Sequence, residues 1–246
     1  MPTSALGENI GKDCFMSIDL LKKGFMTSNM LKLLAIVSML IDHVGLMLLD
    51  NYYPMRVIGR LAMPIFAFLI AEGCTYTKNK CRHFFEIFLL GAFCQTVSFI
   101  GGRTKLNILL SFSVSILLIY VTQYAMKNKK FIPLPFIFLG ILYIVVRRFL
   151  PQVGVTFEYG FYGMLIPWFA FIPKNKWLKI ISFTLGLLLL CRISYRMQLY
   201  SLFALIPVIF YNGERGKFKF KYAFYIFYPL HLFVIYAIKD IIERLT

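Results

Sequence analysis

Long apolar runs follow one another along this chain, at residues 29–49, 54–76, 83–100, 106–126, 131–146, 154–172, 177–191, 197–211 and 222–242. Polar links of only a few residues separate them. Each run is near or below the roughly 20 residues a helix needs to cross a bilayer. The pattern predicts an all-α fold, a polytopic transmembrane bundle of about nine helices, with eight or ten as alternatives because the runs between 131 and 211 are short. Pro64, Pro133, Pro135, Pro167, Pro207 and Pro229 fall in or beside these runs, so several helices should be bent where a proline ring displaces a backbone hydrogen bond. Residues 29–246 then form a single transmembrane domain. Residues 1–28 form a cytoplasmic or interfacial segment, in which "CFMSIDLLKKGF" is a candidate surface helix. That segment lacks the order of a cleaved signal peptide.

Composition agrees with a lipid setting. The chain is 59% hydrophobic and 15% charged, with mean hydropathy +0.72, whereas soluble domains carry about 25% charged residues. A net charge of +16 raises nucleic acid as a partner, but the basic residues are scattered among the links instead of forming one patch. They serve orientation better. More of them fall on the side of Lys12, Lys78, Lys127, Lys174 and Lys217 than on the side of Arg56, Arg103, Arg147, Arg192 and Lys239. By the positive-inside rule the N-terminus is cytoplasmic and the C-terminus outside. Cys14, Cys74, Cys81, Cys94 and Cys191 show no paired spacing, which reads as membrane-packed thiols and no metal. No Walker loop or dinucleotide fingerprint is present, and "IGG" at 100–102 reads as a turn.

What remains is polarity at membrane depth, where an ionisable side chain is a functional hypothesis by default. "SMLIDHVGLM", 38–47, places Asp42 and His43 inside an apolar run. Lys32 and His43 are eleven residues apart, which returns them to nearly one helix face, roughly 16 Å apart along the axis. Lys32 also suits a snorkelling anchor near the helix end. Asp42 points about 100° away from His43 and needs another partner. Arg60 or Arg56, at i and i+4 on the returning helix, supplies it. Glu72 falls near the cytoplasmic mouth, within reach of Lys32 or Lys78. In "FYIFYPLHLFVIY", 224–236, Pro229 bends the last helix before His231, and Tyr225 and Tyr228 bring hydroxyls to the same turn. His231 is expected roughly 13 Å deep and His43 roughly 20 Å deep, so the two should line one cavity.

Four blocks, "LKLLAIVSMLIDHVG" (31–45), "IGRLAMPIFAFLIAEG" (58–73), "SLFALIPVIFYNGERG" (201–216) and "YIFYPLHL" (225–232), resemble the TraX family of membrane proteins, whose namesake acetylates the N-terminal amine of conjugative pilin. "KLNILLSF" around Asn107 and "EYGFYGMLIP" (158–167) are also similar to that family. The Lys32-to-His43 spacing resembles the Arg-x10-His pattern of acyltransferase-3 membrane enzymes, with Lys where the pattern has Arg.

The resemblance implies a multi-pass acetyltransferase of the cell membrane that uses cytoplasmic acetyl-CoA as donor substrate and needs no metal. The acceptor is a pilin-like peptide amine or an amine or hydroxyl of an envelope glycan. On this reading Lys32, with Arg82 or Lys78, meets the donor's phosphates, and the pantetheine arm reaches roughly 17 Å toward His43. His43 acts as general base or transient acetyl carrier, Asp42 supports it, and Arg60, Glu72, Asn107, Tyr228 and His231 shape the binding site, a tyrosine or Asn107 being the candidate oxyanion donor. The alternative is a non-enzymatic transporter or secretion-complex subunit with an Asp/His/Arg relay.

Overall fold

A computed structural model of the protein describes residues 24–245 apart from 101, 103, 194–195 and 218–220. Most of the expected N-terminal surface segment therefore lies outside the described residues. The first helix, α1 (Ser28–Met47), starts where its leading N–H groups find partners. The Thr27 hydroxyl accepts from the Met30 N–H at 3.4 Å, as an N-cap should. Ser28 and Asn29 donate instead to the carbonyls of Glu214 and Arg215, at 2.8 and 3.2 Å. A loop distant in sequence is thereby lashed to the start of α1, and an isolated bridge between Met26 and Tyr211 extends the seam.

The chain returns as α2 (Tyr53–Tyr76) and continues through α3 (Lys80–Ile100), α4 (Ile108–Lys127), α5 (Lys129–Gln152), α6 (Gly160–Phe171), α7 (Lys176–Ile193), α8 (Arg196–Ile209) and α9 (Lys221–Leu245). No strand occurs among the described residues. Bends fall where proline chemistry predicts them. In α2 the Arg60 and Leu61 N–H groups bond three residues back, to Val57 and Ile58. Pro64 cannot donate to the Arg60 carbonyl and crowds it, so the helix is interrupted there. α8 runs as a tight 3-10 helix from Arg196 to Ala204 before relaxing over Leu205–Ile209.

The expectation of about nine helices is met among the described residues. Six of them have the length and apolarity to cross a membrane: α1 to α5 and the Tyr225–Ile242 part of α9. α6 has 12 residues, α8 is mostly 3-10, and α7 carries Lys176, Lys179 and Arg192 within its 18.

The enclosed centre is the second part of α2, which packs on α1, α4, α6 and α8. Ile65, Ala67 and Ala71 are buried there with Leu31 and Ala35 of α1. Close packing, more than exclusion of water, joins helices in lipid, and small residues permit it. A Cβ added at Gly45 would stand 2.6 Å from Met55 Cβ, and one at Gly59 would collide with the Asp42 carboxyl. α9 closes one flank against α3 and α1.

Candidate functional site

α9 meets α1 through the two predicted histidines. His43 Nδ1 and His231 Nε2 are 2.9 Å apart, and the rings stack with centroids 5.1 Å apart and planes 15° apart. His231 Nδ1 lies 3.0 Å from the Phe227 carbonyl one turn back. A carbonyl can only accept, so Nδ1 of His231 carries the proton and its Nε2, in the neutral ring, is an acceptor. His43 must then donate from Nδ1. Its Nε2 is left with the lone pair, the form a general base requires. Phe227 stacks on the His231 ring at 5.2 Å, and Tyr228 meets it edge-on at 5.5 Å. His231 is thus fixed by packing and by its own helix.

Asp42 has both predicted partners at once. Arg56 Nη1 reaches one carboxylate oxygen at 2.6 Å and Arg60 Nη2 the other at 2.8 Å. Arg60 Nε also donates to the Arg56 carbonyl at 3.2 Å. The carboxylate is pressed against Gly59, where the absence of a side chain makes room. This cluster pins α1 to the break in α2, which fixes the rotation of α1 and with it the direction of His43.

Cavities approach His43 from both ends of α1. Near its start is a polar vestibule of about 590 Å³ whose lining includes Lys32, Glu72, His83, Arg82, Glu86 and Arg215. It shares Lys32, Leu69, Gly73, His83 and Tyr225 with an apolar shaft of about 190 Å³ that continues to Met39, Phe66, Phe112, Phe227 and Tyr228. Met39 is one turn before His43 and Phe227 one turn before His231, an axial gap of about 6 Å. Near the other end of α1, a cavity of about 840 Å³ is lined by Leu46, Arg56, Arg60, Lys105, Glu158 and Gln198, among others. Leu46 lies three residues beyond His43. The imidazole therefore sits on α1 between a residue of the shaft and a residue of the far cavity.

The remaining sequence candidates divide between these spaces. Lys32 and Tyr228 line the vestibule and shaft system as expected, and so does Arg82, while Lys78 is not among the vestibule's lining residues. Glu72 also faces the vestibule, but its ion-pair partner is Lys179 of α7, not Lys32 or Lys78. The tertiary approach of α7 to α2 decides that, since sequence neighbours do not reach the carboxylate. Asn107 stands in the wall of the far cavity as the N-cap of α4. Its Oδ1 accepts from Leu109 and Leu110 N–H, and Nδ2 donates to the Gly91 carbonyl at 2.7 Å. Its amide holds α3 to α4, which accounts for a buried asparagine.

Sequence reasoning missed His83, Glu86 and Arg215. His83 Nδ1 pairs with the Tyr120 hydroxyl at 2.8 Å, and the ring stands where vestibule meets shaft. Glu86 joins Arg82 at 2.9 Å and accepts from the Tyr225 hydroxyl at 3.3 Å, tying α9 to α3. A lone histidine followed by "FFEIF" resembles an ordinary helix start. Arg215 was counted only as a loop charge, because nothing local shows that its loop is bound to α1. Among the described residues no group of His, Cys, Asp or Glu is placed to hold a metal ion.

Comparison with known proteins gives the arrangement a lineage. Residues 27–239 match the family model described as TraX protein. A probable fimbrial assembly protein, FimC of serogroup H1, from Dichelobacter nodosus is 24% identical over 246 residues, covering 87% of this chain and 96% of that protein. An uncharacterised protein of Rickettsia prowazekii (strain Madrid E) is 30% identical over 151 residues, covering 60% of this chain and 56% of that one. No solved structure matches. The matched span includes the histidine pair, the Asp42 cluster and the residues lining the cavities, and the chain belongs to the TraX protein family.

Proposed function

We propose that the protein is an integral acetyltransferase of the cell membrane, moving an acetyl group from cytoplasmic acetyl-CoA to an amine of a pilin-like peptide, or to an amine or hydroxyl of an envelope glycan. The observation that carries this reading is His43: its Nδ1 is bound by His231, its Nε2 keeps the lone pair, and it lies between cavities that approach from opposite ends of α1. The positive-inside bias makes the vestibule cytoplasmic. Lys32, Arg82 and Arg215 suit the donor's phosphates, the apolar shaft suits its pantetheine arm, and the last turn to His43 requires Met39 and Tyr228 to part.

In that geometry the acceptor nitrogen attacks the thioester carbonyl while His43 Nε2 takes its proton. The C–S bond then breaks, and the departing thiolate recovers the proton from Nε2. His231 Nε2 accepts from His43 Nδ1 throughout, so it stabilises the imidazolium that forms between the two steps and holds the ring in one orientation. Its part resembles that of the carboxylate in a serine-protease triad. Support for a pilus setting comes from the fimbrial assembly name of the Dichelobacter nodosus relative.

A second reading is a proton or substrate relay in a transport or secretion complex, favoured by the adjacency of the Asp42–Arg56–Arg60 cluster to an imidazole pair. Purified protein with radiolabelled acetyl-CoA and a peptide bearing a free N-terminal amine separates the two. Saturable donor binding and label transfer, lost in His43→Ala, support the enzyme. No donor binding, together with proton-coupled flux in vesicles, supports the relay.

A further inference from the structure

A further cavity, of about 510 Å³, lies beside the vestibule, where α2, α4 and α6 end and α3 and α7 begin. The two spaces share Tyr76 and Thr77 in their walls, and the Glu72–Lys179 ion pair has its acid in the vestibule and its lysine in this cavity. Lys80, Lys127, Lys174 and Lys179 line it, and among the described residues no Asp or Glu does. Glu72 engages Lys179. Lys80, Lys127 and Lys174 have no carboxylate partner among the described residues. Lys127 and Lys174 are exposed and Lys80 is half-buried, so none of the three is sealed inside the protein.

A bias of positive charge toward the cytoplasm accounts for lysines at this face, but it does not account for where Lys80 stands. Lys80 is the first residue of α3, the end at which the helix macrodipole is positive and a cation is disfavoured. The Lys127 charge is near enough to repel it. The Tyr120 ring, 5.1 Å from its Nζ, offsets only part of that cost. An anion between Lys80 and Lys127 would relieve both conflicts at once. The vestibule, in turn, is short of cations for the donor assigned to it. Its Lys32, Arg82 and Arg215 face Glu72 and Glu86, and Arg82 is already held by Glu86. Coenzyme A carries, besides its diphosphate, a ribose 3′-phosphate monoester of about −1.5 to −2 charge at pH 7.

We propose that the lysine-lined cavity binds a phosphate monoester. On the acetyltransferase reading, on which this second step rests, the monoester is the ribose 3′-phosphate of the donor, held by Lys80, Lys127 and Lys174 while the diphosphate lies in the vestibule. The headgroup of phosphatidic acid presents the same chemistry from the bilayer.

The test measures binding to the full chain in detergent of coenzyme A and of dephospho-coenzyme A, which lacks only the 3′-phosphate, and in a second arm of fluorescent phosphatidic acid and phosphatidylcholine, whose phosphate is a diester. Coenzyme A should bind at least about tenfold more tightly than its dephospho form, since a hydrogen bond to a charged group is worth that ratio or more. Lys127→Gln and Lys174→Gln should each erase most of that preference. Lys129→Gln, close to Lys127 in sequence but not among the cavity's lining residues, should leave it unchanged. A lysine-dependent preference for phosphatidic acid, with both coenzymes binding equally, would retain the phosphate site and assign it to lipid. Equal coenzyme binding without a lipid preference, or a preference that Lys129→Gln reduces as much as Lys127→Gln does, overturns the site; label transfer from acetyl-CoA would then leave the acetyltransferase reading standing. Binding of neither coenzyme removes that reading, and the lipid arm alone then decides the site.

Discussion

His43 Nδ1 donates to His231 Nε2 across 188 residues of sequence, at 2.9 Å. The contact joins the first described helix to the last, and the Phe227 carbonyl at the far side of His231 sets its polarity. On the proposed acetyltransferase reading, His43→Ala should lower acetyl transfer by about 10²–10⁴-fold, the span of a lost general base, while the protein remains folded. His231→Gln should cost less and should appear in kcat with little change in donor binding, because it loosens the base without deleting it. Steady-state transfer of labelled acetyl groups, with donor binding measured separately, checks both.

Asp42→Asn is expected to destabilise the protein by about 3 kcal/mol or more, since it leaves two largely buried guanidinium groups without their counter-charge. The side chains involved are only 10–13% exposed, so solvent screening is slight. Thermal unfolding in detergent is the measurement. A midpoint equal to that of the parent protein would show that the cluster contributes nothing to the fold.

Gly59→Ala tests the same contact from the backbone side. The new methyl would occupy the position of the Asp42 carboxyl, and overpacking of this kind costs about 1–3 kcal/mol. Activity should fall along with stability, because displacing Asp42 rotates α1 and turns His43 with it.

Glu72 and Lys179 form an ion pair that joins α2 to α7. Removing either charge alone should destabilise the fold, and the double replacement Glu72→Gln with Lys179→Met should be milder than the sum of the two, with a coupling of about 0.5–3 kcal/mol. A double-mutant cycle of unfolding free energies measures it. Strict additivity would contradict a direct pairing.

Met39→Trp should fill the inner end of the shaft. If the proposed acetyl-CoA route is right, donor binding at the vestibule, where Lys32, Arg82 and Arg215 lie, should survive within a few-fold, and acetyl transfer should fall by at least about tenfold because the thioester would stop a turn short of the imidazole. Loss of donor binding with transfer still measurable would place the thioester elsewhere.

Much of this was legible in the linear pattern. Alternation between apolar runs and short basic links defines a helical membrane chain, because lipid admits few other backbones. Asp42, His43, Arg56, Arg60 and His231 stood out because polarity at that depth is expensive. Helical periodicity also narrowed the partners of Asp42, since i and i+4 on a returning helix leave few positions at the same height.

Other parts were not. The pairing of Glu72 with Lys179, the cap formed by Asn107, and the gathering of His83, Glu86 and Arg215 around one vestibule all depend on which helices touch. Hydropathy has a value for each residue but not for each contact, so it could not show that α6 would be as short as 12 residues or that α8 would begin as a 3-10 helix. The sequence by itself determined the class of fold and the costly residues; only the tertiary structure decided how those residues are paired, because rotation of α1 by half a turn would preserve every local pattern and break every contact described for Asp42 and His43.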